Sequence, residues 1–293
     1  MKLEELVHQW FTQFNAVSGK LTRYAGGPAI FFQTAPTDSQ SGWEKKSQYP
    51  RIVYTIDMQA DQERKSAGTM QVDIFCDEAG LSPEEIEPFV KECLKDLIVH
   101  PDESSPYCFA WSRTESFELS KRERGADTSV IGMEIRFDIL EYPSQETTDP
   151  DPIVALDRYI KKKIPESFVL GMDNVESFKV ADAKAPVFYC RLEAVEKDRE
   201  TNTVAWMNGR IAIHVICTDT SMRMKWIMAL ANALSLDGEV VMLDGSPMRI
   251  KRLVVNNKAD YLKEGQLMVA VYYGLLRYKA QPHIIVQNNL EFM

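Results

Sequence analysis

The chain has 293 residues, 45% hydrophobic and 26% charged, with a formal net charge of -9. These are the proportions of a globular protein of one large or two ordinary domains. No apolar run approaches the about 18 residues of a membrane-crossing helix, and the start Met1-Lys2-Leu3-Glu4-Glu5-Leu6 lacks a signal peptide's apolar core, so neither is expected. The charge is uneven: residues 1–150 hold 15 Lys and Arg against 26 Asp and Glu, whereas residues 151–293 hold 19 against 17. A general nucleic-acid surface is disfavoured, because attraction to phosphate needs clustered positive charge. The imbalance implies halves that face different surroundings, or each other. Five cysteines (76, 93, 108, 190 and 217) are an odd number with no C-x-x-C pair. They read as reduced, mostly buried thiols of a chain folded in cytosol.

Residues 2–17 predict an amphipathic helix, with Leu3, Leu6, Val7, Trp10, Phe11 and Phe14 on one stripe and Gly19 as its stop. Residues 19–48 are poor in pattern and read as a long loop. The first strand is predicted from Tyr49-Pro50-Arg51-Ile52-Val53-Tyr54 to Met58, with proline at its start where no ladder bond is needed. A charged tip at 57–67 follows. The next strand, 69–76, alternates Met70, Val72, Ile74 and Cys76 against Thr69, Gln71, Asp73 and Phe75, as a half-covered strand does. Ser82-Pro83-Glu84-Glu85 opens a predicted helix whose buried stripe runs from Ile86 to Leu97 and Ile98. Strands at 107–119 and 128–142 close the half around a tip at 120–127. Residues 144–152 are a Pro-rich polar linker.

The second half repeats the order. A helix at 152–163 ends in Lys161-Lys162-Lys163, and 165–184 reads as a loop. A Pro-led strand, Ala185-Pro186-Val187-Phe188-Tyr189-Cys190, precedes a tip at 196–204 and a strand that starts near Gly209 and ends at Cys217. Asp219 or Thr220 caps a helix that Gly238 stops. Strands at 239–255, turned at Asp244-Gly245, and at 265–278 complete the half. Residues 280–293 form a tail in which Ile284-Ile285-Val286 can add to a neighbouring sheet edge. Gly68 and Cys76 have the same spacing as Gly209 and Cys217, and the halves close on Tyr142 and Tyr278. The fold class expected is therefore α+β, in two similar domains, 1–146 and 147–293. Each is α-β-β-α-β-β, with a mainly antiparallel sheet packed by helices, and an internal duplication accounts for the pattern.

No nucleotide-binding, nucleophile-elbow or zinc-protease motif occurs in the chain. His214 alternates with Ile213 and Val215 and so lies on the opposite strand face. Cys217, three residues on, points away from His214, so the two form no dyad. No catalytic, cofactor-binding or metal-binding residue is assigned, and no enzyme activity or cofactor is expected.

The order of elements resembles that of the tail terminator and tail-completion proteins of tailed bacteriophages. The resemblance lies in the N-terminal helix, the Pro-led strand, the charged hairpin, the alternating strand ending at Cys76-Asp77, the following helix and the two closing strands. It covers 49–142 and 185–278, in a tandem-duplicated version. It implies a structural virion protein of a phage, prophage or tail-like particle, assembled in the bacterial host cytoplasm. Copies would form a homo-oligomeric ring, a trimer or hexamer, that caps the tail tube and ends its growth. Such a ring would join tube, and in places sheath, to the head connector or collar, with DNA only in passage and no membrane. The interface candidates are Asp61, Glu63, Arg64 and Lys65 at the first tip, Lys121, Arg122 and Arg124 at the second, Lys197 and Arg199 at the third, and Ile284 and Val286 in the tail. Asp61 and Glu63 are candidates for the lumen. The alternatives are a monomeric adaptor or a small-ligand-binding α+β protein, including an enzyme, which a deep pocket with convergent polar groups would favour.

Overall fold

The computed structural model describes residues 1–44, 48–59, 66–102, 104–123, 126–145 and 149–277, with the backbone alone described at 120–123 and 126–128. The first half contains α1 (Leu3–Gln13), α2 (Asn15–Ser18), β1 (Arg23–Tyr24), β2 (Gly27–Pro28), β3 (Ile30–Phe32), β4 (Arg51–Met58) and β5 (Gly68–Asp77). A 3-10 turn (Pro83–Glu85), α3 (Glu87–Leu94), β6 (Leu97–Val99), β7 (Tyr107–Glu123) and β8 (Ala126–Glu141) follow. The second half contains α4 (Pro152–Lys163), β9 (Phe168–Val169), β10 (Phe178–Val180), β11 (Val187–Glu200), β12 (Val204–Ile216) and α5 (Thr220–Asp237). It ends with β13 (Glu239–Val241), β14 (Pro247–Val255) and β15 (Leu267–Leu276).

Two large sheets result, in the orders β10-β6-β7-β8-β5-β4-β3 and β13-β14-β15-β12-β11-β9. Without β10, the two orders run through the same succession of elements. The Pro-led strands also sit in matching register. Arg51 faces Phe75, the residue before Cys76, and Val187 faces Ile216, the residue before Cys217. The expectation of mainly antiparallel sheets is corrected, because both sheets are mixed. Edge strands β3 and β9 run parallel to β4 and β11. A parallel neighbour needs a long return connection, which residues 33–50 and 170–186 supply.

Each half therefore has more strands than the predicted α-β-β-α-β-β. Leu97 and Ile98 leave the helix for β6, because Lys95 is already extended (ψ 126) and Asp96 takes a left-handed backbone (φ 55) that no α-helix continues through. The predicted first helix also breaks, at Phe14, into α1 and α2. Two expected tips shrink, since their strands run further: β7 reaches Glu123 and β8 starts at Ala126, and β11 reaches Glu200 and β12 restarts at Val204, leaving 201–203 as the turn. The helices of the second half begin and end as predicted. Asp151 Oδ1 accepts from the backbone N of Ile153 (2.7 Å) and Val154 (3.1 Å), and Asp219 Oδ1 accepts from Met222 N (2.8 Å). Gly238 closes α5 at φ 69, a conformation that costs glycine little.

Three buried clusters hold the chain. α1 and α3 cover one face of the first sheet, with Leu6, Phe11 and Val90 against Ile52, Val72 and Ile135. α4 and α5 cover one face of the second, with Leu156, Ile160 and Leu230 against Phe188, Ile213 and Val271. The third cluster joins the halves: Cys108, Leu140 and Tyr142 of the first pack on Val187, Tyr189 and Ile216 of the second. These positions belong to the faces that the helices leave open, so the two sheets meet open face to open face at one end. The strand β10, beyond the expected division at 146/147, pairs antiparallel with β6 of the first half.

Candidate functional site

The junction holds buried polar groups among its apolar ones. Tyr142 donates its hydroxyl to Leu262 O (2.9 Å), and its ring lies 4.9 Å from Tyr189 and 5.8 Å from His214. His214 Nδ1 lies 3.0 Å from Tyr261 O, and burial pushes its pKa down to about 4, so the ring is neutral. It faces the junction while Ile213 and Val215 face the second core, as the alternation predicts. Cys217 Sγ contacts Asp219 O at 3.5 Å rather than His214. Lys263 Nζ bridges to Asp138 at 2.6 Å across the same junction.

Beside the junction is a cavity of about 830 Å³, lined by Phe14, Asp96, Phe109, Trp111, Val180 and Tyr261 among others. Asp96 is buried. Its Oδ1 accepts from Tyr261 Oη (2.6 Å), its Oδ2 has no partner, and burial raises its pKa. Sequence reasoning missed Asp96. Its one signal was a carboxylate inside the apolar run from Cys93 to Val99, which argued against a continuous buried helix stripe.

The open faces of the two sheets differ in chemistry. On the first, Phe75 packs edge-on to Phe117 (5.3 Å) over Gly132, and Asp73, Asp77, Glu115 and Glu134 share the face with Arg113 and Arg136. At its margin, Arg51 stands over the rings of Tyr49 (4.7 Å) and Trp43 (5.8 Å) and pairs with Asp38 at 3.0 Å. On the second, Trp206 and Tyr272 stack at 5.2 Å with 7° between planes. Lys251 lies 4.0 Å over Tyr272 and bonds Asn208, and Arg199 Nε donates to Tyr272 Oη at 3.1 Å. Arg249 and Arg252 stand on the same face, opposite Tyr272 and Ala270. Among the described residues, neither they nor Lys251 have a carboxylate partner within 4.0 Å.

Of the interface candidates, Arg199 is brought into this aromatic and basic platform. Lys197 is not: it faces Met207, on the core side, and pairs with Glu200 at 2.5 Å. Lys121 and Arg122 occupy ladder positions opposite Thr128 and Asp127 at the end of β7, where only the backbone is described. Asp61, Glu63, Arg64, Lys65, Arg124, Ile284, Val286 and the closing Tyr278 lie outside the described residues. All five cysteines are buried and free, and burial holds their thiols in the protonated form, with Cys76 pushed up to about 12. Among the described residues, no group of three His, Cys, Asp or Glu side chains is placed to hold a metal. No described helix is long and apolar enough to cross a membrane.

No family model matches the chain, and no curated protein or solved structure is significantly similar to it.

Proposed function

We propose that the chain is a structural component of a phage tail or tail-like particle. Copies form a ring at the end of the tail tube, end its growth and present a surface to the head connector or collar. The observation that carries this reading is the common strand succession of the two halves, each with open faces and edges. A tandem pair of like units, derived by duplication of one terminator-like domain, suits a cyclic array in which successive units make the same contact. The acidic first half, with Asp61 and Glu63 at its tip, suits a passage for DNA, because like charge keeps phosphate from sticking. In this reading the particle is assembled in the host cytoplasm.

The test is to polymerise tail tube protein from the same genome with and without the purified chain. Tube lengths are read by electron microscopy and the complex by mass measurement. Capped tubes of limited length support the reading; tubes that grow unchanged, with no chain bound at their ends, rule it out. The cavity with Asp96 favours a second reading, a binder of small ligands with an apolar body and a hydrogen-bond donor. A thermal-shift screen of primary amines with apolar tails tests it, and absence of any Asp96-dependent shift rejects it.

A further inference from the structure

The second half closes an edge of the first. Phe178, Lys179 and Val180 of β10 pair with Val99, Ile98 and Leu97, His100 N donates to Ser177 O (2.9 Å), and Phe178 lies 5.1 Å from Trp10. In the second sheet β13 holds the place of β6. Val240 faces Met248 on β14 as Val99 faces Tyr107 on β7. Among the described residues nothing pairs with the outer edge of β13. Val241, which holds the place of His100, is 66% exposed, and Leu243 beyond it is 46% exposed. An apolar strand edge left open in this way is a template for another chain.

The open faces extend the correspondence. In the first half the junction is received by Cys108, Ala110 and Leu140. By ladder register, their counterparts in the second half are Arg249, Arg252 and Tyr272. The junction is entered by Val187, Tyr189 and Ile216 of the second half, whose counterparts in the first are Arg51, Val53 and Phe75. All three of those are only half-buried. The entering surface of the first half carries Asp73, Asp77 and Glu134, with Arg51 already paired to Asp38 and Arg136 to Glu134, and the receiving surface of the second carries Arg249, Lys251 and Arg252. The two are complementary in charge, in the same sense as the imbalance between the halves.

We infer that the β13 edge and the Trp206–Tyr272 face of one copy receive the first half of a second copy of this chain, in the way the β6 edge receives the second half within the chain. This rests on the proposed ring and deepens it by naming the surfaces that meet. The contact is head-to-tail and heterologous, so it repeats until it closes. Each chain then contributes two like units, and the junction inside the chain alternates with the junction between chains.

The test uses the full chain in sedimentation and native mass measurement across a concentration series. Wild type associates. Val241→Pro removes the outward N–H, and Val53→Arg sets a cation against Arg249 and Arg252, while Asp73 opposite it on β5 balances that charge in the single chain. Each variant associates at least ten-fold more weakly, and each keeps one intact surface. Their equimolar mixture therefore forms a heterodimer that grows no further. Circular dichroism and thermal unfolding check the fold. Should Val241→Pro misfold, Arg249→Glu on the exposed face replaces it: alone it associates at least ten-fold more weakly, and mixed with Val53→Arg it associates again, because the two reversed charges attract across the contact. Monomeric wild type, variants that associate like wild type, or a mixture without heterodimer overturns the inference. A monomer that binds a labelled oligonucleotide through Arg249 and Lys251 overturns it as well. Association through these surfaces without effect on tube length ends the terminator reading alone. Limited tubes from a chain that assembles despite both variants end this inference alone.

Discussion

The open faces of the two sheets share a strand order and differ in what they display. On the first, Gly132 admits the Phe117 ring close against the sheet, and carboxylates outnumber cations around it. On the second, two aromatic rings stack beneath Arg199 and Lys251, and β14 adds Arg249 and Arg252. At one end both faces turn apolar and close on each other through Tyr142, Tyr189 and Ile216. A common backbone layout thus fixes where surfaces lie, and the side chains decide whether a surface is spent inside the chain or left open.

The comparison breaks most deeply at the junction. Tyr142→Ala removes a ring packed on Tyr189 and His214 and the bond to Leu262, at a cost of about 3–5 kcal/mol. Calorimetry should then resolve separate transitions for the two halves; one unshifted transition would mean the third core does not couple them.

Acidity separates the second core from the junction. Burial, with Asp151 and Asp173 nearby, pushes the Asp157 carboxyl up to about 7, although Cys190 donates to it. Its protonated form suits the fold, so its contribution is complete below the ordinary 3.8 and declines as pH rises to about 7. His214 works in the opposite sense. The fold holds its ring neutral, so stability is lost as pH falls from 6.5 to about 4. The two slopes oppose each other between those values, the limbs being worth on the order of 3–4 kcal/mol. Denaturation of Asp157→Asn across this window should show stability rising with pH more steeply than in wild type; an unchanged profile would remove Asp157 from the account.

Glycines sharpen the contrast between the closing strands. A Cβ on Gly132 would lie 2.2 Å from the Phe117 ring and 2.7 Å from Ile74 O, which is backbone and cannot turn aside. On Gly274 the closest atom, at 2.7 Å, is a methyl of Val204. Gly132→Ala should cost about 1–3 kcal/mol and Gly274→Ala less, as urea midpoints will measure. The smallest effect concerns helix caps. Asp219→Ala removes the single bond to Met222 N, for about 1 kcal/mol, and Asp151→Ala removes two bonds and costs more. Equal losses would show that the second bond on Asp151 adds nothing.

Long elements with end signals were legible in the sequence. α4 spans the predicted residues, α5 starts after Asp219 and stops at Gly238, and β13 turns into β14 at Asp244-Gly245, where Ser246 bonds back to Asp244. Short strands were not. β3, β6, β9 and β10 have two or three residues, too few to display a period of two, and each is a strand only because a neighbour distant in sequence or longer than itself offers it a ladder. Leu97 and Ile98 fit a helix stripe as well as a strand until Asp96 turns the backbone. Of the interface candidates among the described side chains, Arg199 joins the aromatic platform and Lys197 does not, because a bulge between them resets which face each occupies.

Local chemistry thus determined the repeated order of long elements, the capped helices, the buried thiols and the uneven charge, since each depends on residues close in sequence. Tertiary structure alone decided that each sheet contains a parallel pair, that β10 crosses to the other half's sheet, and that the open faces meet at one end. Those outcomes depend on contacts between residues far apart in the chain, and alternation along one strand records that a face is apolar without recording what will cover it.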